Sequence, residues 1–121
     1  MEKTLYERLG GSEGITNIAN DAVDLHLKNT KIATRFENAK ADVNSLKNGA
    51  ATFFIAGTGG PAVYKGKDMM KTHQGMNISH SEFFSVIDDV MQALDKNNIE
   101  QREKEEVLFV LYSMKEEIVF V

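Results

Sequence analysis

Apolar residues recur along this chain every three or four positions, the spacing of one face of an α-helix. Residues 3–9 give a short helix with Leu5, Tyr6 and Leu9 on one side. Gly10-Gly11 interrupts it, and Ser12 is placed to cap a second helix whose apolar positions are Ile15, Ile18, Ala19, Ala22 and Leu25. Residues 29–41 are more polar, with Phe36 the one large apolar side chain. A third helix is expected from about Asp42, with Val43, Leu46, Ala50, Phe53 and Phe54 in one stripe. Gly57-Thr58-Gly59-Gly60-Pro61 ends it, because glycine accepts left-handed backbone and proline cannot continue a helix.

Tyr64-Lys65-Gly66 reads as a turn, and Met69, Met70, His73 and Met76 share a short helical face. Ser79 and Glu82 have the spacing of a capping box. The helix they open carries Phe83, Ile87, Val90, Met91 and Leu94, and Asn97-Asn98 closes it. A last helix is expected from about Glu100 to the C-terminus, with Val107, Leu111, Met114 and Ile118 inward. No stretch alternates with the period of two that a strand requires, and no internal repeat is present. The expectation is all-α, one domain over residues 1–121, with four main helices and some short ones.

Composition narrows the chemistry. There is no cysteine in 121 residues, which excludes disulfides, thiolate metal sites and thiol catalysis. One proline leaves long helices undisturbed. The net charge of −4 argues against a nucleic-acid partner. No apolar run spans a membrane, and Met1-Glu2-Lys3-Thr4 opens no apolar leader, so a cytoplasmic protein is expected. Glu103, Glu105 and Glu106, interleaved with Arg102 and Lys104, read as a solvated helix face.

Candidate chemistry rests on three histidines. No pair of them has zinc-site spacing, no serine sits in a nucleophile turn, and Gly57-Thr58-Gly59-Gly60 lacks the lysine of a phosphate loop. His73 stands among methionines 69, 70 and 76. By spacing alone it is a buried, hydrogen-bonded histidine or the single imidazole that a five-coordinate haem needs in an apolar pocket.

The chain resembles the truncated haemoglobins, the two-over-two globins, and most closely their first group. The resemblance begins at Leu5-Tyr6-Glu7-Arg8-Leu9-Gly10-Gly11 and continues through Arg35-Phe36, Phe53-Phe54 with Gly59-Gly60, and Tyr64-Lys65-Gly66-Lys67-Asp68-Met69. His73 then falls at the family's proximal histidine, and Phe83 opens the next helix as in the family. The resemblance implies haem b and two antiparallel helix pairs around it, residues 43–57 with the His73 region and residues 80–96 with 100–119. It implies that Phe36 presses on the porphyrin edge and that Leu46, Ala50, Phe53 and Phe54 line the distal side. Met69, Met76, Phe83, Val86 and Val90 would wall the proximal side and edges, with Tyr64 and Lys67 near the propionates. For the apolar residues plain core packing stands as the alternative, and for Lys67 a solvated lysine.

The distal side departs from the family. Val23 stands where a tyrosine is usual, Leu46 where a glutamine is common, and Gly49 and Ala50 replace polar residues. A short insertion in residues 37–43 admits a register shift that would bring Lys47 or Asn48 toward the iron. His26, one turn beyond Val23, is a second candidate sixth ligand, with ordinary packing as its alternative. His80 follows the cap Ser79 and is expected to be exposed. The resulting expectation is reversible binding of a diatomic gas, oxygen, carbon monoxide or nitric oxide, in an apolar pocket around Val23, Leu46, Ala50 and Phe54. The alternatives are nitric oxide dioxygenation or peroxidase-like chemistry, with a reductase as candidate partner.

Overall fold

The computed structural model describes residues 3–37, 42–61 and 77–120. All the regular elements among them are helices: α1 (Leu5–Arg8), α2 (Gly11–Lys28), α3 (Ala33–Glu37), α4 (Val43–Gly57), α5 (His80–Lys96), α6 (Gln101–Tyr112) and α7 (Lys115–Ile118). Helix α2 packs on both α4 and α5, and α6 packs on α5 and α1. The expected pairing of 80–96 with the last helix is therefore present through α6. The expected partner of 43–57, the His73 region, lies outside the described residues, as do Tyr64, Lys67, Met69 and Met76.

The α1–α2 corner shows why glycines stand there. Gly10 has φ 99° and Gly11 φ 68°, both in left-handed backbone. Gly10, not Ser12, is the N-cap of α2. Ser12 lies inside the first turn, where its N–H donates to the Tyr6 hydroxyl at 3.1 Å and its own hydroxyl is 2.7 Å from the same oxygen. The tyrosine of α1 thus supplies the cap that a serine side chain was expected to give. Gly14 lets the corner close: a Cβ there would stand 2.3 Å from the backbone oxygen of Leu9.

Leu9, Ile15, Ile18, Ala22, Ile55, Val90, Ala93, Leu94 and Val107 form the main core, drawn from α2, α4, α5, α6 and the residue after α1. A second small core joins Ile78, Phe83, Ile87 and Val119. It accounts for a departure at the C-terminus. The last helix is not continuous: α6 stops at Tyr112, Ser113 and Met114 turn, and α7 follows. Val119 then lies beside Ile78 in a parallel bridge, and the Phe120 N–H donates to the Ile78 carbonyl at 2.9 Å. A straight helix would carry Val119 away from that core. The acidic run on α6 departs too: Glu105 is exposed, but Glu103 and Glu106 both accept from Arg8, docking α1 onto α6.

Helix α4 differs from its predicted stripe. Ala51 and Ile55 are its buried residues, while Leu46, Ala50, Phe53 and Phe54 are half-buried and Val43 is exposed. The helix therefore has two apolar faces, and the one predicted from spacing is not the one packed deepest in the core.

Helix α5 meets α2 and α3 through polar residues as well as apolar ones. Its capping box is formed as expected, with Ser79 Oγ accepting from the Glu82 N–H. Glu82 also takes a two-pronged bond from Arg35, at 2.6 and 3.0 Å. One heptad on, Asp89 is bonded to His26 Nδ1 at 2.8 Å and accepts from the Asn29 amide at 3.1 Å. At the far end the Asn97 amide donates to Asp21 at 2.9 Å, with Lys96 3.5 Å from the same carboxylate.

Two predictions follow from this packing. Gly14→Ala gains up to about 1 kcal/mol of helix propensity but forces backbone apart, at roughly 1–3 kcal/mol for overpacking. The midpoint of chemical denaturation should fall. The second concerns acid. The Arg35 guanidinium, with the Ser79 N–H, holds Glu82 down from an ordinary 4.5 to about 2. Glu82 binds a proton more readily when unfolded, so its contribution is present above pH 4.5 and is lost as pH falls toward 2. Glu82→Gln should flatten the stability profile in that window, measured by denaturant titration at stepped pH.

Candidate functional site

The expected wall residues among those described come from four helices. Val23 is buried on α2, at 3% exposure. Leu46, Ala50, Phe53 and Phe54 lie on α4, all half-buried, with the rings of Phe53 and Phe54 edge to face at 5.5 Å. Phe54 also packs against the main core. On α5, Val86 is half-buried against that core, Val90 is inside it, and Phe83 belongs to the second core. Phe36 is placed on α3 by its backbone, and its side chain lies outside what is described.

The two candidate sixth ligands have side-chain partners. Lys47 Nζ is 2.9 Å from Asp24 Oδ1, joining α4 to α2. It lines a cavity of about 390 Å³ between those helices, shared with Thr16, Asn20, Asn44, Asn48, Ala51, Thr52 and Ile55. Five of its eight lining residues carry amides or hydroxyls, Ala51 and Ile55 are apolar, and none is an expected haem-wall residue. His26 is buried, with Nδ1 on Asp89. Burial lowers its pKa from the ordinary 6.5, against the opposing pull of Asp89. The ring is therefore neutral near pH 7, and its one N–H, at Nδ1, donates to the carboxylate. The buried Asp89 was not legible in the sequence, where it stands in the polar pair Asp88-Asp89. Its position one heptad after Glu82 is the only signal that could have marked it. His80 is exposed, as expected, and its ring stands 5.1 Å from that of Phe120.

The expected single ligand, His73, lies outside the described residues. Among the described residues no group of three His, Cys, Asp or Glu could hold a bare ion. A haem iron asks for less from the protein, a single imidazole together with apolar surface for the porphyrin. The half-buried face of α4, Leu46, Ala50 and Phe53, is surface of that character. No helix among the described residues is long and apolar enough to cross a membrane.

Comparison with known proteins agrees with the all-α fold. A family model described as bacterial-like globin matches residues 4–120. A group 1 truncated hemoglobin of Tetrahymena pyriformis is 31% identical over 94 residues, covering 76% of this chain and 74% of that protein. Group 1 truncated hemoglobin GlbN of Mycolicibacterium paratuberculosis is 27% identical over 115 residues, covering 95% and 83%. Among solved structures, the Fe(III) form of the Tetrahymena pyriformis truncated hemoglobin superposes with a TM-score of 0.93 at 24% identity, covering 98% of this chain and 100% of that one. The 2/2 hemoglobin of Synechococcus sp. PCC 7002, a cyanomet form with covalently attached heme, has a TM-score of 0.83 at 20% identity, covering 93% and 94%.

Proposed function

The chain belongs to the bacterial-like globin family, with the group 1 truncated haemoglobins as relatives, and on that premise we propose that it binds haem b through His73 and takes up a diatomic gas reversibly. The observation that carries this reading is the match over residues 4–120, which takes in His73 and every expected wall residue. When bound, haem supplies an iron with an open position for oxygen, carbon monoxide or nitric oxide. His73 provides the one imidazole that holds it, and Tyr64 and Lys67 the polar groups for the propionates.

The remaining residues exclude water and set the polarity around the gas. Leu46, Ala50, Phe53 and Phe54 on α4, with Phe36, Met69, Met76, Phe83, Val86 and Val90, offer hydrocarbon and no competing ligand except the thioethers of the two methionines. Val23, Leu46 and Ala50 have no side-chain N–H or O–H. They withhold from a partly negative ligand a charge-assisted hydrogen bond worth about 1.5–3 kcal/mol. Oxygen is the most polar of the three gases once bound, so it loses most. Lys47 is held 2.9 Å from Asp24, which disfavours it as a further ligand to the iron.

Two measurements test the reading. Ferrous protein should show a strong Soret band that shifts with carbon monoxide, and His73→Ala should lose or loosen the haem. No haem after reconstitution, or an unchanged ferrous spectrum in H73A, would overturn it. Leu46→Gln places a donor on the half-buried face of α4 and should slow oxygen dissociation by about tenfold or more, from the energy of one such bond. Stopped-flow displacement of oxygen by carbon monoxide reads that rate, and an unchanged value would move Leu46 away from the gas.

A further inference from the structure

Helix α6 buries one face and leaves the other bare. Val107 is its buried residue, and Glu103 and Glu106 turn toward Arg8. Gln101, Arg102, Glu105, Leu108, Phe109 and Tyr112 are exposed, at the three- and four-residue spacing of a single face. The N-terminal half of that face is polar and the C-terminal half is apolar. Phe109 is 75% exposed, Tyr112 50% and Leu108 38%. Phe84 of α5, 42% exposed, brings its ring to 6.4 Å from that of Tyr112. Single exposed apolar side chains are ordinary, but four that adjoin make a patch of the kind that marks an interaction site. Beside Phe109 lies a hollow of about 340 Å³, lined also by Leu5, Val110, Arg102, Glu105 and Glu106.

The charges around the patch point to its occupant. Glu105 and Lys115 have no ion-pair partner among the described residues. Glu105 accepts from the Gln101 amide at 3.3 Å, and Lys115 Nζ stands 5.3 Å from the centre of the Tyr112 ring. Beyond Glu105 comes Arg102, 70% exposed and 3.9 Å from Glu106, and beyond Lys115 comes the exposed Glu116. Outward from Phe109 the signs therefore run minus then plus toward the N-terminus, and plus then minus toward the C-terminus. A partner of one charge sign would be repelled somewhere at each end. A parallel copy would set like charge on like. An antiparallel second copy lays its Lys115 and Glu116 end over the Glu105 and Arg102 end of the first, and the two-fold axis repeats the match. The same placement sets each Phe109 ring against the hollow beside the other.

We propose that this face of α6 is the interface of a homodimer, two copies crossing antiparallel about Phe109. At roughly 200 Å² for a whole aromatic side chain, the four apolar residues expose about half of the ~800 Å² that each partner brings to a standard interface. The dimer is therefore weak, with a dissociation constant on the order of 10 µM. None of these residues is among those assigned to haem or gas, so the proposal stands apart from the gas-binding reading.

Sedimentation of the purified full chain over a concentration series at low salt reads the association. The native chain should pass from monomer to dimer. Phe109→Ser should weaken dimerisation at least about thirtyfold, as loss of a central aromatic anchor does. Phe109 is mostly exposed, so the variant should keep its fold, which circular dichroism checks. Charge variants test the antiparallel placement. Glu105→Lys alone and Lys115→Glu alone each set like charges together twice in a homodimer, and each should weaken it about tenfold. Mixing the two single variants restores opposite charges at both places, so the mixture should form a heterodimer of near-native strength. Only contacts between copies can give that rescue. A native chain still monomeric at about 1 mM overturns the proposal, and its flotation with phosphatidylcholine vesicles, lost in F109S, would assign the face to lipid instead. Native-like dimerisation of F109S also overturns it, by moving the interface off this face. Single charge variants of native strength, or a mixture no stronger than its two parts, overturn the antiparallel placement.

Discussion

The arrangement of this fold depends on how α5 lies against α2. Those helices share the main core through Ile15, Ile18, Ala22, Val90, Ala93 and Leu94. Hydrophobic contact alone tolerates sliding, because one aliphatic surface packs nearly as well as another. The polar residues remove that freedom. Glu82, Asp89 and the Lys96-Asn97 pair recur along α5 at about two-turn intervals and meet Arg35, then His26 and Asn29, then Asp21. The order of partners runs backwards along the chain, as an antiparallel pair must. The register so fixed also fixes where α4 sits, since α4 packs on the same α2.

Helix α4 connects this scaffold to function. Its Ala51–Ile55 edge belongs to the core, and its Leu46–Ala50–Phe53 face is half-buried. A helix apolar on two sides is costly in water unless each side is covered. A porphyrin is one way to cover such a face, and a short chain with a bound cofactor can do with a smaller core of its own. The family membership and the character of this face point in the same direction. Along the Ala51–Ile55 edge a groove between α4 and α2 also holds Asn44, Asn48 and Asn20, and there Lys47 is paired with Asp24.

Much of the helical layout was legible in the sequence. The capping box at Ser79 and Glu82, the end of α4 at the glycine run and the end of α5 at Asn97 depend on side chains acting on their own neighbours, so spacing reveals them. The errors lie where a distant residue intervened. Ser12 fits the pattern of a cap, but Tyr6 from α1 takes the N–H and Gly10 takes the position. The last helix has an unbroken apolar rhythm, but the Ile78–Phe83–Ile87 cluster draws Val119 in and the helix breaks to deliver it. Glu103 and Glu106 look solvated until Arg8 arrives from the other end of the chain.

The sequence by itself determined that the chain is helical, where most helices begin and end, that no thiol takes part, and which residues resemble a globin's haem contacts. Those properties follow from local backbone preference, from periodicity and from residue chemistry. Tertiary structure decided which face of α4 enters the core, and that His26 is a buried partner of Asp89. It also decided that Lys47 is paired with Asp24. Periodicity shows that a face is apolar but not what it meets. A charged residue on a helix reads as solvated until packing supplies a partner that makes its burial affordable.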